Sequence, residues 1–184
     1  MFLETINAAG VLQVPMVISI WDDDYGISVP AEYHATKEDI SEMLSGFKRT
    51  DKKAGFEMLK VKGGDYTALM HAYENASDIA REEHVPVVIH VTELTQPQGH
   101  SSSGSHERYK SEERLNWEKE NDCNKRFREW ILETGITSEE ELSTLEKKYF
   151  KASSFGQKRG LVRIFGDPST SEKKVDSAFR RCGE

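Results

Sequence analysis

The chain has 184 residues, 36% of them hydrophobic, enough for one ordinary domain with a sizeable core. Its 25 Lys and Arg against 32 Asp and Glu leave a net charge of −7, and no dense basic block offers a nucleic-acid footprint, so nucleic acid is not an expected partner. The opening MFLETINAAG carries Glu4 and no basic residue, no apolar run approaches the roughly 20 residues of a membrane span, and Cys123 and Cys182 form no metal-spaced pair or disulfide framework; no signal peptide, no membrane and a cytoplasmic location are the expectation.

In chain order, Phe2 to Gly10 reads as the last turns of a helix that Gly10 closes and no residue caps. Val14 to Ile20 is a β-branched run bounded by Pro15 and by acids, which reads as a buried strand. Thr36-Lys37-Glu38-Asp39 has capping-box spacing and predicts a helix to about Ser45, ended by Gly46. Gly55 to Val61 predicts a second strand, with Phe56, Met58 and Lys60 on one face and Leu59 and Val61 on the other. After the Gly63-Gly64 turn, Asp65 caps a helix to about His84, whose apolar stripe runs through Leu69, Ala72, Tyr73, Ala76, Ile79 and Ala80. Val85 to Leu94 is a third strand, apolar enough to be covered on both faces, and the strand-helix-strand order implies parallel strands with right-handed crossovers. A polar loop from Gln96 to Ser105 leads into a charged helical segment, Ser111 to Leu132, docked by Trp117, Phe127, Trp130 and Ile131. Ser138 to Glu141 repeats the capping spacing and predicts a short helix to about Phe150. Residues 151–184 are basic, rich in Gly and Ser, and carry no periodicity that defines their packing.

Two stretches could carry chemistry. The first, Trp21 to Pro30 (WDDDYGISVP), follows the first strand, and ligands of open α/β sheets bind at such carboxyl ends. Asp22, Asp23 and Asp24 repel one another unless solvated or neutralised, so a hard cation such as Mg²⁺ or a solvated acidic turn both account for them. Spacing alone also admits an aspartyl phosphotransferase with Asp22 as nucleophile and Asp24 as general acid, although the following Tyr25 and Gly26 are not the hydroxyl that chemistry wants. A calcium loop fails at its twelfth position, Tyr33. The second stretch, Gly99 to His106 (GHSSSGSH), suits a phosphate nest with His100 as donor or relay, or equally a flexible linker. His90 reads as a satisfied core group, and His34, His71 and His84 as surface positions without a role.

Together these stretches resemble the alpha subunit of the thiamine diphosphate-dependent dehydrogenase component of 2-oxo acid dehydrogenase complexes. That family carries an E-x-x-N-x-A helix, then L-P-V and a strand, then E-N-N-G-Y-A-I-S-x-P, and later a G-H-S-x-S loop ending in Y-R. Here Glu4, Asn7 and Ala9, then Val14-Pro15-Met16, then Tyr25, Ile27, Ser28 and Pro30, then Gly99-His100-Ser101-x-Ser103 and Tyr109-Lys110 stand in that order, over about Glu4 to Leu132.

The resemblance implies a partial thiamine diphosphate-binding α/β fold with a helical C-terminal part: residues 1–110 as the C-terminal half of the cofactor domain, 111–150 as a helical extension, and 151–184 unassigned. It implies Mg²⁺ held by the Asp23 side chain and the Tyr25 carbonyl, and thiamine diphosphate bound by Asp23, Tyr25, Ile27, His100 and Ser101. His100 would be catalytic, assisting acyl transfer to a lipoyl group. Ser101 matches a serine that is phosphorylated in some members. Aspartate for asparagine at Asp23 keeps an oxygen ligand and adds a charge beside the diphosphate. Thr95-Gln96 and Gly104-Ser105 depart from the pairs usual around the loop. The family's glycine-aspartate-glycine metal turn would fall upstream of Met1, which implies N-terminal truncation, and its catalytic glutamate belongs to a beta-type subunit or the beta-like half of a fused chain. The expected full activity is oxidative decarboxylation of a branched-chain 2-oxo acid or pyruvate with transfer to the lipoyl carrier of the acyltransferase component; the isolated chain is expected to be weak or inactive, or only to associate with its beta-type partner.

Overall fold

Val-Val-Ile-His-Val at Val87 to Val91 is buried residue by residue because its strand lies in the middle of a three-stranded parallel sheet. The computed structural model describes residues 1–96 and 106–159, with side chains through 149. The sheet order is β1 (Val17–Trp21), β5 (Val87–Thr92), β4 (Glu57–Lys62), so both neighbours pair with the last strand. Between β1 and β4 lie a short antiparallel ribbon, β2 (Tyr25–Gly26) and β3 (Val29–Pro30), and two one-turn helices, α2 (Ala31–His34) and α3 (Ile40–Met43). Helix α1 (Phe2–Leu12) precedes the sheet, α4 (Tyr66–Asp78) joins β4 to β5, and α5 (Glu112–Glu120), α6 (Cys123–Glu133) and α7 (Glu139–Arg159) follow. The chain separates into two compact units, Met1–Thr134 and Gly135–Glu184.

Alternation along β5 divides the apolar interior in two, since successive side chains point to opposite faces. Val87, Ile89 and Val91 pack with Val61 and with Ala76, Ile79 and Ala80 of the helical crossover. Val88 packs on the other face with Ile6 and Ala9 of α1, Leu44 and Phe56. The expected faces of the second strand hold, with Met58 in one cluster and Leu59 and Val61 in the other. The expected stripe on α4 is likewise core. Asp65 caps that helix by accepting the Ala68 amide at 2.9 Å; beyond Asp78 a π-helical turn, Ile79–Glu83, carries the chain to His84 in the left-handed region at φ 57°.

Several elements differ from their sequence reading. The first strand is an edge strand among the described residues, not a buried one: Ile18 and Ile20 face the α1 side, while Val17 and Trp21 remain 38% and 73% exposed. Helix α1 runs past Gly10 to Leu12 and stops at Gln13, left-handed at φ 50°, whose side-chain amide donates to the Gly10 carbonyl at 2.7 Å and the Gly55 carbonyl at 3.2 Å. Gly10 instead permits close packing, since a Cβ there would lie 3.1 Å from the Phe56 ring. The helix expected from Thr36 starts only at Ile40, because Asp39 provides the cap, its carboxylate accepting the Glu42 amide at 2.9 Å. The charged segment after Ser111 is two helices, interrupted where Asp122 takes the amides of Asn124 and Lys125 and starts α6. Phe127 and Trp130 of α6 then pack their rings at 4.7 and 5.8 Å from that of Tyr66.

In the second unit, Ser138 and Glu141 form the expected reciprocal cap, and α7 continues to Arg159 rather than ending near Phe150. Among the described residues no helix is long and apolar enough to cross a membrane.

Because β5 is shared by both apolar clusters, Ile89→Ala should lower the unfolding free energy by about 2–5 kcal/mol, whereas Val17→Ala on the edge strand should stay within about 0.5 kcal/mol. Urea denaturation followed by circular dichroism measures both.

Candidate functional site

Three parallel strands end side by side, and the chain leaves each with a polar or charged residue: Asp22 after β1, Lys62 at the end of β4, Thr92 at the end of β5. A cavity of about 620 Å³ opens there, lined by Asp22, Asp24, Asp39, Lys60, His90 and Thr92 among others.

The three acids after β1 are sorted by direction. Asp22 prolongs the ladder, its amide donating to the Val91 carbonyl at 2.9 Å, and its Oδ1 accepts the Asp24 amide at 3.0 Å. Its Oδ2 faces His90 Nε2 at 2.9 Å; a carboxylate only accepts, so Nε2 donates. His90 is 1% exposed, and its Nδ1 meets the Ser41 hydroxyl at 2.8 Å, which makes it the satisfied core histidine expected from sequence. Asp24 takes a left-handed φ of 67°, a conformation aspartate tolerates better than most residues, and points to Arg114 Nη1 at 2.7 Å. Asp23 Oδ1 accepts the Tyr25 amide at 3.3 Å.

This turn gathers the two metal-ligand candidates, Asp23 and Tyr25, in one place. Tyr25 pairs with Pro30 across the ribbon, and the neighbouring Asp24 carbonyl takes the Ala31 amide at 2.9 Å. Pro30 has no N–H to give, and in an antiparallel ladder the polar groups of alternate residues point away from the partner strand. The Tyr25 carbonyl therefore takes no ladder hydrogen bond from Pro30. A carboxylate and a backbone carbonyl two residues apart in a tight turn are hard oxygen donors, the kind that Mg²⁺ takes. Among the described residues no group of three or more His, Cys, Asp or Glu side chains is arranged to hold a metal by itself. Ile27, the remaining described cofactor candidate, sits at the ribbon tip, 67% exposed and left-handed at φ 63°, which is unfavourable for a β-branched residue. His100 and Ser101 lie outside the described residues, as do Gly99 and Ser103.

A buried ionic cluster behind the turn has no counterpart in the sequence reading. Glu118 of α5, 1% exposed, accepts Lys110 Nζ at 2.7 and 2.9 Å and Arg114 Nε at 3.0 Å. Lys110 also donates to the Gln96 carbonyl at 3.2 Å, and Arg114 to the carbonyls of Asp23 at 3.0 Å and Leu94 at 3.3 Å. The Tyr25 ring lies under both cations, 5.1 Å from Lys110 Nζ and 5.5 Å from Arg114 Cζ. Burial works against the Arg114 charge, but its bonds to Asp24 and Glu118 outweigh that and leave its pKa above the ordinary value. Burial raises the Tyr25 phenol, with Arg114 opposing. In sequence, Arg114 and Glu118 are an i,i+4 pair on a charged helix, indistinguishable from a solvated one.

A parallel sheet with helices on both faces makes this an α/β domain, the class in which ligands bind at the carboxyl ends of the strands. Residues 1–154 match the family model described as Dehydrogenase E1 component, and the chain belongs to that family. It is 26% identical over 172 residues to a pyruvate dehydrogenase E1 component subunit alpha of Acholeplasma laidlawii, covering 89% of this chain and 48% of the relative. It is also 26% identical over 171 residues to 2-oxoisovalerate dehydrogenase subunit alpha 1, mitochondrial, of Arabidopsis thaliana (88% and 34%), and 27% identical over 139 residues to 2-oxoisovalerate dehydrogenase subunit alpha of Bacillus subtilis (76% and 40%). The chain thus spans about half the length, or less, of these curated relatives. Asp22 and Asp24, the pair of the phosphotransferase reading, bond to His90 and Arg114.

At the cavity rim the Lys60 ammonium pairs with Asp39 and holds its carboxyl below the usual range, with the Glu42 amide adding to the effect against the opposing pull of burial. A depressed pKa in the folded state stabilises above the unfolded value of about 3.9 and is lost as pH falls through the folded value. Asp39→Asn should therefore flatten the loss of thermal stability below about pH 4 relative to the unaltered chain. Melting temperatures between pH 6 and pH 2.5 test this.

Proposed function

We propose that this chain contributes part of the thiamine diphosphate and Mg²⁺ site of a dehydrogenase component that oxidatively decarboxylates a 2-oxo acid, either pyruvate or a branched-chain acid, and passes the acyl group to a lipoyl carrier. The observation that supports this reading is the turn from Asp22 to Tyr25, which follows the first strand of the parallel sheet and joins the Asp23 carboxylate to the Tyr25 amide, in a chain of the E1 family. On this reading the parallel sheet belongs to a thiamine diphosphate-binding fold.

When bound, the thiazolium of the cofactor supplies the carbanion chemistry of decarboxylation. The chain's own residues hold and orient. The Asp23 carboxylate and the Tyr25 carbonyl would ligate Mg²⁺, whose charge neutralises Asp23 and the diphosphate together. Ile27 would offer its exposed side chain to the cofactor; a left-handed β-branched residue at a turn tip, where glycine would be unstrained, supports a role beyond the turn. His100 and Ser101 would meet the diphosphate and the incoming lipoyl group, with His100 moving a proton near neutral pH. The base that activates the aminopyrimidine would come from a beta-type subunit or a beta-like half of a fused chain.

Calorimetric titration of thiamine diphosphate with Mg²⁺ into the full chain, alone and together with a beta-type subunit, tests the proposal. Binding is expected in the mixture and should weaken by more than the roughly 10- to 100-fold typical of outer-shell losses in Asp23→Ala. Binding that Asp23→Ala leaves intact, or no binding in the mixture, overturns it.

A further inference from the structure

Arg114 lies outside every motif singled out in the sequence, yet its guanidinium joins three segments. It donates to the Asp24 carboxylate (2.7 Å) and the Asp23 carbonyl (3.0 Å) in the turn, to the Leu94 carbonyl (3.3 Å) beyond β5, and to Glu118 (3.0 Å) in α5. A guanidinium is a rigid planar fork, so fixing one edge on a buried carboxylate also fixes where the other edge points. Glu118 is that anchor, held in turn by Lys110. Two cations and two carboxylates make the cluster of Lys110, Arg114, Glu118 and Asp24 neutral, so a guanidinium can stand beside a cation site without adding net positive charge.

The clamp also answers a conformational problem. Asp24 is held left-handed, where glycine is most at ease and aspartate is only better tolerated than most residues, and its contact with Arg114 ties it there. From this geometry we infer that Arg114 is a positioning residue that sets the Asp23–Tyr25 turn for its divalent cation, with Glu118 as its buried anchor. The inference rests on the reading of that turn as a metal half-site. It assigns to the helix after the loop a function in metal affinity, separate from docking.

The test titrates Mn²⁺, with thiamine diphosphate, into the full chain and its beta-type subunit, reading free Mn²⁺ by electron paramagnetic resonance, with urea midpoints as the control for folding. Arg114→Ala should weaken Mn²⁺ by about 10- to 100-fold, the usual cost of losing an outer-shell partner. Adding Asp24→Gly to Arg114→Ala should recover most of that loss, because glycine holds the left-handed turn without a clamp. A purely structural arginine would show no such rescue. Where Arg114→Ala does not fold, Arg114→Lys keeps Glu118 paired and removes only the fork; it should still weaken Mn²⁺ by about tenfold. If Asp23→Ala abolishes binding while the Arg114 variants bind as the unaltered chain does, or if Asp24→Gly rescues nothing, the inference alone is overturned. If Asp23→Ala changes nothing, or the unaltered complex binds no Mn²⁺, the half-site reading fails and the inference with it.

Discussion

The double coverage of β5 is the constraint on which the first unit depends. Because this strand is hydrogen-bonded on both edges and covered on both faces, its side chains serve two apolar clusters at once, and neither cluster closes without it. The same register carries His90 to the strand end opposite Ile20 and Lys60, where a buried imidazole can reach Asp22. The turn that follows β1 is therefore tied to the central strand twice, through the Asp22 amide on the Val91 carbonyl and through the Asp22 carboxylate on His90. Burial of a polar ring is costly unless both nitrogens are engaged, and Ser41 and Asp22 engage them.

At the far side of the turn the arrangement is ionic. Buried charge pairs rarely add much stability compared with apolar packing, since the desolvation of each ion offsets their attraction. What they do provide is direction. Glu118, Arg114 and Lys110 satisfy one another and the carbonyls of Asp23, Leu94 and Gln96, so they fix the position of segments that have no regular secondary structure. Removing Glu118 would take from the buried Lys110 ammonium the carboxylate it donates to, the costly way to break a buried pair.

Much of this was legible in the sequence, and the rest has identifiable reasons for being hidden. Local signals carried through: the caps at Asp65 and Ser138, the stripe on α4, the faces of β4, and the continuous apolar run of β5 all depend on spacing within one element. The exposure of Val17 and Trp21 depends on strand order, which no local pattern encodes. Helix ends shifted where a competing cap won, as Asp39 did over Thr36, or where a glycine served packing and not termination, as Gly10 does against Phe56. Within the candidate site, the acidic triplet put Asp23 among the metal candidates, while Tyr25 entered only through the resemblance to the family's motif. Arg114 stood out by neither route, since its partners at Asp24 and Leu94 are 90 and 20 residues away and only folding brings them together.

Depth also separates the charges of this molecule into two kinds. Lys37 and Glu42 pair at the surface, both more than half exposed, within reach of dissolved ions. Lys110 and Glu118 are sealed from solvent, 2% and 1% exposed at the side chain. Mobile ions screen the first kind over about 10 Å at 0.1 M salt and scarcely reach the second. Raising ionic strength should thus weaken the Lys37–Glu42 pair while the Lys110–Glu118 pair behind the turn keeps its form.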